Sequence, residues 1–210
     1  MKLYDAATAP NPRRVRIFIA EKGIQVPVVP VDLAGKEQFS AAYRAINPCC
    51  MVPTLVLDDG TAIGEVLAIW RYLEEVHPEP PLMGRTAKDK ALVTMWERRM
   101  ELDGYLAAAE AVRNSLPRLA GRALVGPRDY PQIPALGERG KARVLDFYSD
   151  LDSRLADSPF VAGDAFSVAD ITAIVTIDFV ANRLDLPVPS GHGALRRWYD
   201  TVAARPSMKA

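Results

Sequence analysis

The chain is poor in cysteine: two residues in 210, and they are neighbours, Cys49 and Cys50. Adjacent cysteines close only a strained ring, so no disulfide framework can form, and no metal-ligand spacing is present. Histidine is equally scarce. His77 precedes Pro78 and His192 lies between two glycines, with no partner spacing, so both read as surface residues. There is no excess of either charge, with 26 Lys plus Arg against 26 Asp plus Glu. This balance removes the main electrostatic reason to expect nucleic-acid or anionic-membrane binding. No basic run exceeds Arg13-Arg14 or Arg98-Arg99. Long apolar runs are missing too. Ile171 to Val180 is broken by Thr172, Thr176 and Asp178, well short of the roughly 20 residues that span a bilayer. The N-terminal Met1-Lys2-Leu3-Tyr4-Asp5 lacks the apolar core of a signal peptide. The expectation is a cytoplasmic globular protein without metal, nucleic acid or membrane.

The residues that are present describe two kinds of domain. Residues 1–5 read as a strand, Ala6 to Pro12 as a loop, and Arg13 to Lys22 as a helix stopped by Gly23. Val-rich Gln25 to Asp32 reads as a second strand, parallel to the first because a helix separates them. Ser40 to Ile46 is a short helical turn ending at Asn47-Pro48. Thr54 to Leu57 and Thr61 to Ile63 form a hairpin about Asp58-Asp59-Gly60. Glu65 to Glu75 carries Val66, Leu67, Ile69, Trp70 and Leu73 as a buried helix face. The order β-α-β-α-β-β-α over residues 1–77 is that of a thioredoxin-like domain. Pro78, Pro80 and Pro81 mark a linker over 78–87. Residues 88–210 then read as all-helical, with long patterns over 88–116, 136–156 and 168–182 and a mobile loop over Pro117 to Pro134. Ser167-Val168-Ala169-Asp170 heads an apolar helix as a capping box, Ser167 accepting from the Asp170 N–H and the carboxylate returning to Ser167.

Three segments carry a family likeness. Asn47-Pro48-Cys49-Cys50-Met51-Val52-Pro53 resembles the Asn-Pro-x-x-x-Val-Pro segment of the cytosolic glutathione transferases. The stretch Asp58-Asp59-Gly60 to Glu65, then Ala68-Ile69-Trp70-Arg71-Tyr72-Leu73, is similar to that family's hairpin and following helix. Ser167-x-x-Asp170 after Gly163-Asp164 matches its second domain. The resemblance spans essentially the whole chain. It implies a thioredoxin-like domain followed by an all-helical domain, with glutathione as cofactor and a small hydrophobic electrophile as the second substrate. It also implies a homodimer joined through the stretch Trp70 to Arg99. A free thiol with pKa near 8.5 is mostly protonated at pH 7, so the protein must stabilise the thiolate that attacks.

On that resemblance, Val52 before a cis Pro53 offers its backbone to the cysteinyl part of glutathione, with Met51 beside it. Glu65 and Val66 meet the γ-glutamyl end, and Gln38 lies next to the glycyl end. Trp96, Arg99, Met100 and Asp103, at helical spacing, line the electrophile pocket. The sequence also departs from the family pattern. The position that usually holds a sulfur-activating Ser is Ala9. A basic residue near the glycyl carboxylate is replaced by Phe39, the Gln or Lys before Val-Pro by Met51, and the Ser after Glu65 by Val66. Thiolate stabilisation then falls to Thr8, to Asn11, or to the positive end of the helix beginning near Pro12. The alternative reading is a catalytically weak or inactive binding protein on the same fold.

Overall fold

The computed structural model describes all 210 residues, which divide into two compact units. The first comprises Met1–Pro80 with Leu124–Asp129 and Lys209–Ala210; the second comprises Pro81–Ala123 and Tyr130–Met208.

The first unit is a four-stranded sheet in the order β2-β1-β3-β4, made of β1 Lys2–Asp5, β2 Val28–Pro30, β3 Thr54–Val56 and β4 Ala62–Ile63. As expected from sequence, β1 and β2 are parallel; β1–β3 and β3–β4 are antiparallel. The paired part of β2 is shorter than Gln25 to Asp32. Pro27 and Pro30 have no N–H to give, so the ladder continues only through Leu3 N–H to Pro27 and Val31 N–H to Asp5. Three helices accompany the sheet: α1 Pro10–Glu21, α2 Ala41–Ile46 and α3 Val66–Val76. Helix α1 starts at Pro10, three residues before the expected Arg13. The first turn makes no N–H bond to an earlier helical residue, so Pro10 and Pro12 cost it nothing there. Val15, Ile17 and Phe18 of α1 and Ile69, Trp70 and Leu73 of α3 are fully buried, each worth about 1.5–3 kcal/mol. Phe18 stacks on Trp70 with centroids 5.8 Å apart. Trp70 is therefore core, not surface. At the far end of α1, the buried Lys22 ammonium pairs with Glu74 of α3 at 2.5 Å and donates to the Pro80 carbonyl.

The second unit is all-helical: α4 Ala87–Arg99, α5 Leu106–Ser115, α6 Pro134–Ala156, α7 Val168–Leu184 and α8 Gly193–Ala203. Thr86 and Asp89 cap α4 reciprocally. The pattern read as one helix over 88–116 is continuous but widens into a π-helical turn over Met100–Tyr105. Its packing on α6 depends on glycines. A Cβ at Gly104 would lie 2.7 Å from the Phe147 ring, and one at Gly140 2.5 Å from the Ala111 nitrogen. Helix α8 was not expected, although Leu195, Trp198 and Val202 mark an apolar face at helical spacing.

Helix α7 is buried on nearly every side, and its N-terminus is tied by more than a cap. The Asp170 carboxylate accepts from Ser167 N–H at 3.0 Å, as expected. Ser167 Oγ accepts from the Asp170 N–H, also as expected, accepts further from the Ala169 N–H at 3.3 Å, and itself donates to Asp170. The other carboxylate oxygen accepts from Val161 N–H at 2.9 Å and from the Trp198 indole at 2.8 Å. Asp170 thus joins the preceding loop, its own helix and α8. Burial pushes its carboxyl up to about 6, against the pull of these donors.

Asp170→Ala strands three buried N–H groups, each costing about 1–3 kcal/mol. A urea titration should show a loss of at least about 3 kcal/mol, beyond the 0.5–2 kcal/mol of a cap alone. The raised carboxyl also gives a pH signature. Between 3.8 and about 6 the folded state holds the extra proton, so its contribution falls as pH rises through that window. The stability advantage over Asp170→Asn should narrow across it, and a flat difference would place the folded carboxyl at its ordinary value.

Candidate functional site

The register of the sheet gathers four loops at one end. Parallel β1 and β2 both finish there, leading into α1 and into the segment after Pro30. Antiparallel pairing brings the start of β3 and the end of β4 to the same end, since Tyr4 faces Thr54 and Leu55 faces Ile63. Segments 6–10, 31–40, 47–53 and 64–66 therefore converge. A Cβ at Gly64 would lie 3.6 Å from the Asn47 amide, which fixes the contact between the last two.

The Met51 carbonyl organises the 47–53 loop. It accepts from Tyr43 Oη at 2.6 Å, Asn47 Nδ2 at 3.1 Å and Thr54 Oγ1 at 3.3 Å. Asn47 is buried; its Nδ2 also donates to Thr54 Oγ1, and its Oδ1 accepts from Cys49 N–H at 2.9 Å. Burial raises the Tyr43 hydroxyl pKa, against the lowering effect of the Thr54 hydrogen bond, keeping the hydroxyl a donor. With its neighbour's carbonyl held by three donors, Val52 precedes a cis bond to Pro53. Its own N–H and C=O take no partner within the chain. They are an unpaired strand edge, able to receive an extended peptide. Cys50 is buried at φ 54°, its thiol directed to the Pro48 carbonyl, and Cys49 is exposed. Gly126, from the segment that joins this unit, lies beside the Cys49 carbonyl.

Ala9 is the N-cap of α1 and supplies no side-chain bond. Pro10 and Pro12 follow, so two of the first three helical positions have no N–H at all. The Asn11 N–H is the one remaining and is unsatisfied within the chain. The Asn11 side chain is oriented by Arg14, whose guanidinium donates to Oδ1 at 3.2 Å while stacking 5.0 Å from the Trp70 ring. That bond turns the Asn11 amide N–H₂ away from Arg14, where no protein group accepts from it. Asn11 therefore presents two kinds of donor at the positive end of a helix. Thr8 is exposed in the turn before it, and Arg16 braces that turn through Asp5 at 2.6 Å and the Ala7 carbonyl.

Glu65 caps α3 at φ 62°, a conformation few non-glycine residues adopt. Its carboxylate makes no cap bond, so the N–H groups of Val66, Leu67 and Ala68 stay open. A ligand carboxylate fits such a terminus and a ligand ammonium fits the Glu65 carboxylate. Gln38 lies in a 3₁₀ turn, Glu37–Phe39, with its Oε1 buried and unpartnered. Lys36, which the sequence reading passed over, caps that turn at φ 62° and forms no ion pair. The Asp32–Glu37 loop that carries it is closed by Glu37 accepting from Asp32 N–H at 2.7 Å. The signal in sequence was Lys36 itself, two residues before Gln38.

Trp96, Arg99, Met100 and Asp103 come together in the helical unit. They line one side of a cleft of about 600 Å³ whose other side is α6, with Phe147, Leu151 and Arg154. Met100 and Asp103 belong to the π-helical turn, a feature frequent at functional sites. No cluster of three potential metal ligands is present, and no helix is long and apolar enough to cross a membrane.

Residues 3–81 match the family model for the glutathione S-transferase N-terminal domain, and residues 134–201 match the model for the C-terminal domain. Over its full length the chain is 36% identical to glutathione S-transferase 2 of Saccharomyces cerevisiae, covering 88% of that protein. The crystal structure of Gtt2 from S. cerevisiae superposes with a TM-score of 0.91 at 35% identity, covering 100% of this chain and 99% of that one. A glutathione S-transferase domain-containing protein of Marinobacter aquaeolei VT8 superposes with a TM-score of 0.92 at 37% identity, covering 99% and 100%. A thioredoxin-like unit followed by an all-helical one, in this order and with these matches, places the chain in the cytosolic glutathione S-transferase family, as a glutathione S-transferase-like enzyme.

Proposed function

We propose that the loops at the end of the sheet bind glutathione and hold its sulfur at the N-terminus of α1, where Asn11 stabilises the thiolate for attack on a small hydrophobic electrophile. The reading is carried by Asn11: its amide and backbone N–H are unsatisfied donors where a family serine is replaced by Ala9. Val52 pairs with the cysteinyl backbone. The α3 N-terminus takes the γ-glutamyl carboxylate and Glu65 its ammonium. Lys36 and Gln38 receive the glycyl end, which accounts for the loss of a basic residue at Phe39. Met51, Pro53 and Val66 shape the site through their backbones, and Thr8 is a secondary donor. The cleft at Trp96, Arg99, Met100 and Asp103 accepts the second substrate. The protein works in the cytoplasm.

Retention on immobilised glutathione and turnover of an aryl halide test the whole reading; retention without turnover would leave a binding protein. Asn11→Ala removes a charge-assisted bond worth about 1.5–3 kcal/mol, or roughly one to two pKa units. The ultraviolet titration of the bound thiol should shift upward by that amount. An unmoved titration would place the sulfur away from α1.

Ala9→Ser supplies both a hydroxyl near the sulfur and an N-cap. Turnover should rise, and the thermal midpoint should rise with a gain near the low end of the 0.5–2 kcal/mol range, because only the Asn11 N–H is there to be capped. Equal turnover in parent and variant would show that residue 9 does not face the thiol.

A homodimer is proposed on an apolar stripe along α4 and its continuation. Leu92, Met95, Leu102 and Leu106 are all more than a third exposed. Such a face on a soluble chain seeks a partner. Sedimentation equilibrium should give twice the 23.0 kDa chain mass, and Met95→Glu should shift it toward the monomer; a 23.0 kDa parent would refute the dimer.

A further inference from the structure

Arg113, near the end of α5, is a half-buried cation without a counter-charge. Its Nη1 donates to the Arg122 carbonyl at 2.6 Å, and no carboxylate lies within ion-pair reach of it. The acceptor is held in place. On either side of Arg122, Tyr130 N–H donates to the Gly121 carbonyl at 2.8 Å and Ala123 N–H to the Tyr130 carbonyl at 3.1 Å. The Gln132 amide donates to the Arg113 and Leu116 carbonyls at 2.7 and 2.8 Å, fixing the end of α5 against the same loop. With Nη1 committed, the side-on edge of the guanidinium, Nε and Nη2, keeps its two parallel N–H groups. Neither atom is sealed from solvent. Burial lowers the Arg113 pKa; nearby Tyr105 opposes the shift and the like charge of Arg122 adds to it. A guanidinium stays charged regardless. A cation drawn out of water beside a like charge is unfavourable until an anion joins it.

The ground beside that edge is aromatic. Long helical side chains lean toward the N-terminus of their helix, so Arg113 reaches back over Ala109, one turn earlier, toward Tyr105. Ala109 adds only a methyl group between them. Tyr105 and Phe179 are both half-buried, their ring centroids 6.3 Å apart and their planes tilted by 33°.

We propose that Arg113 and the Tyr105–Phe179 pair form a binding site for a small aromatic carboxylate, its carboxylate on the Nε–Nη2 edge and its ring against Tyr105. Two parallel N–H groups in one plane match the two oxygens of a carboxylate, which a lysine could not do. The ring contact adds an aromatic pair, and the charge of Arg122 adds attraction. None of these residues lines the cleft at Trp96, and binding here does not depend on the glutathione reading.

A nitrogen-15 NMR titration of the intact protein with benzoate tests this, with the Arg113 Nε–H signal assigned through its own backbone. That signal should shift and saturate in the millimolar range. Benzamide, which is neutral, should bind at least about tenfold more weakly, and acetate, which has no ring, about threefold or more. Arg113→Gln keeps an N–H for the Arg122 carbonyl and should cost benzoate about tenfold or more. Tyr105→Ala should bring benzoate down to the affinity of acetate. An Arg113 signal unmoved while benzoate shifts other residues, equal affinity for benzamide, or undiminished binding in Arg113→Gln would each overturn the proposal. The parent titration decides the question even where a variant fails to fold.

Discussion

The candidate site depends first on a single carbonyl. Three donors from α2, from the Asn47 side chain and from the start of β3 converge on Met51 C=O. A carbonyl has two lone pairs, so three donors saturate it and fix the peptide plane that follows. That plane carries the Val52 N–H. Without the Tyr43, Asn47 and Thr54 bonds, nothing would keep Val52 from turning its polar groups back onto the sheet. The residues responsible are buried and bear no chemistry of their own. Their role is to leave one strand edge unpaired beside a sheet that is otherwise satisfied.

The same logic of withheld partners recurs around the site. Pro10 and Pro12 remove N–H groups, and Ala9 withholds a cap, so the positive end of α1 is concentrated on Asn11. Arg14, itself stacked on the Trp70 of α3, orients the Asn11 amide. Glu65 sits in a left-handed conformation and leaves three helical N–H groups uncapped. Backbone strain of this kind costs about 1–3 kcal/mol and persists only where the surroundings over-determine it. Here α3 is anchored by Trp70 and Leu73 in the core and by the Lys22–Glu74 ion pair.

Much of this was legible in the sequence. The alternation of strand and helix signals over residues 1–77, the hairpin at Asp58-Asp59-Gly60 and the parallel β1–β2 pair followed from local patterns that tertiary packing did not override. The Asn-Pro-x-x-x-Val-Pro segment pointed to Val52. What was not legible depended on long-range partners. The start of α1 was misplaced because proline was read as a loop signal, when the first helical turn tolerates it. Asp170 read as a local cap, since nothing in Ser167-Val168-Ala169-Asp170 reveals that Val161 and Trp198 donate to the same carboxylate. The π-helical turn at Met100–Tyr105 has no sequence period of its own, although Gly104, whose Cβ would strike Phe147, marks where the helix must give way. Lys36, which we propose for the glycyl end, escaped notice because the resemblance places the family's basic residue at Phe39, three residues later in the same loop.

The central claim is that the site binds glutathione mainly through backbone donors left open by design of the loops around them. Amide resonances followed during a glutathione titration test it most directly. The account predicts that the N–H signals of Asn11, Val52, Val66 and Leu67, together with the Asn11 side-chain amide, shift progressively and saturate together. Saturable shifts confined to other residues, with these five signals unmoved, would contradict it.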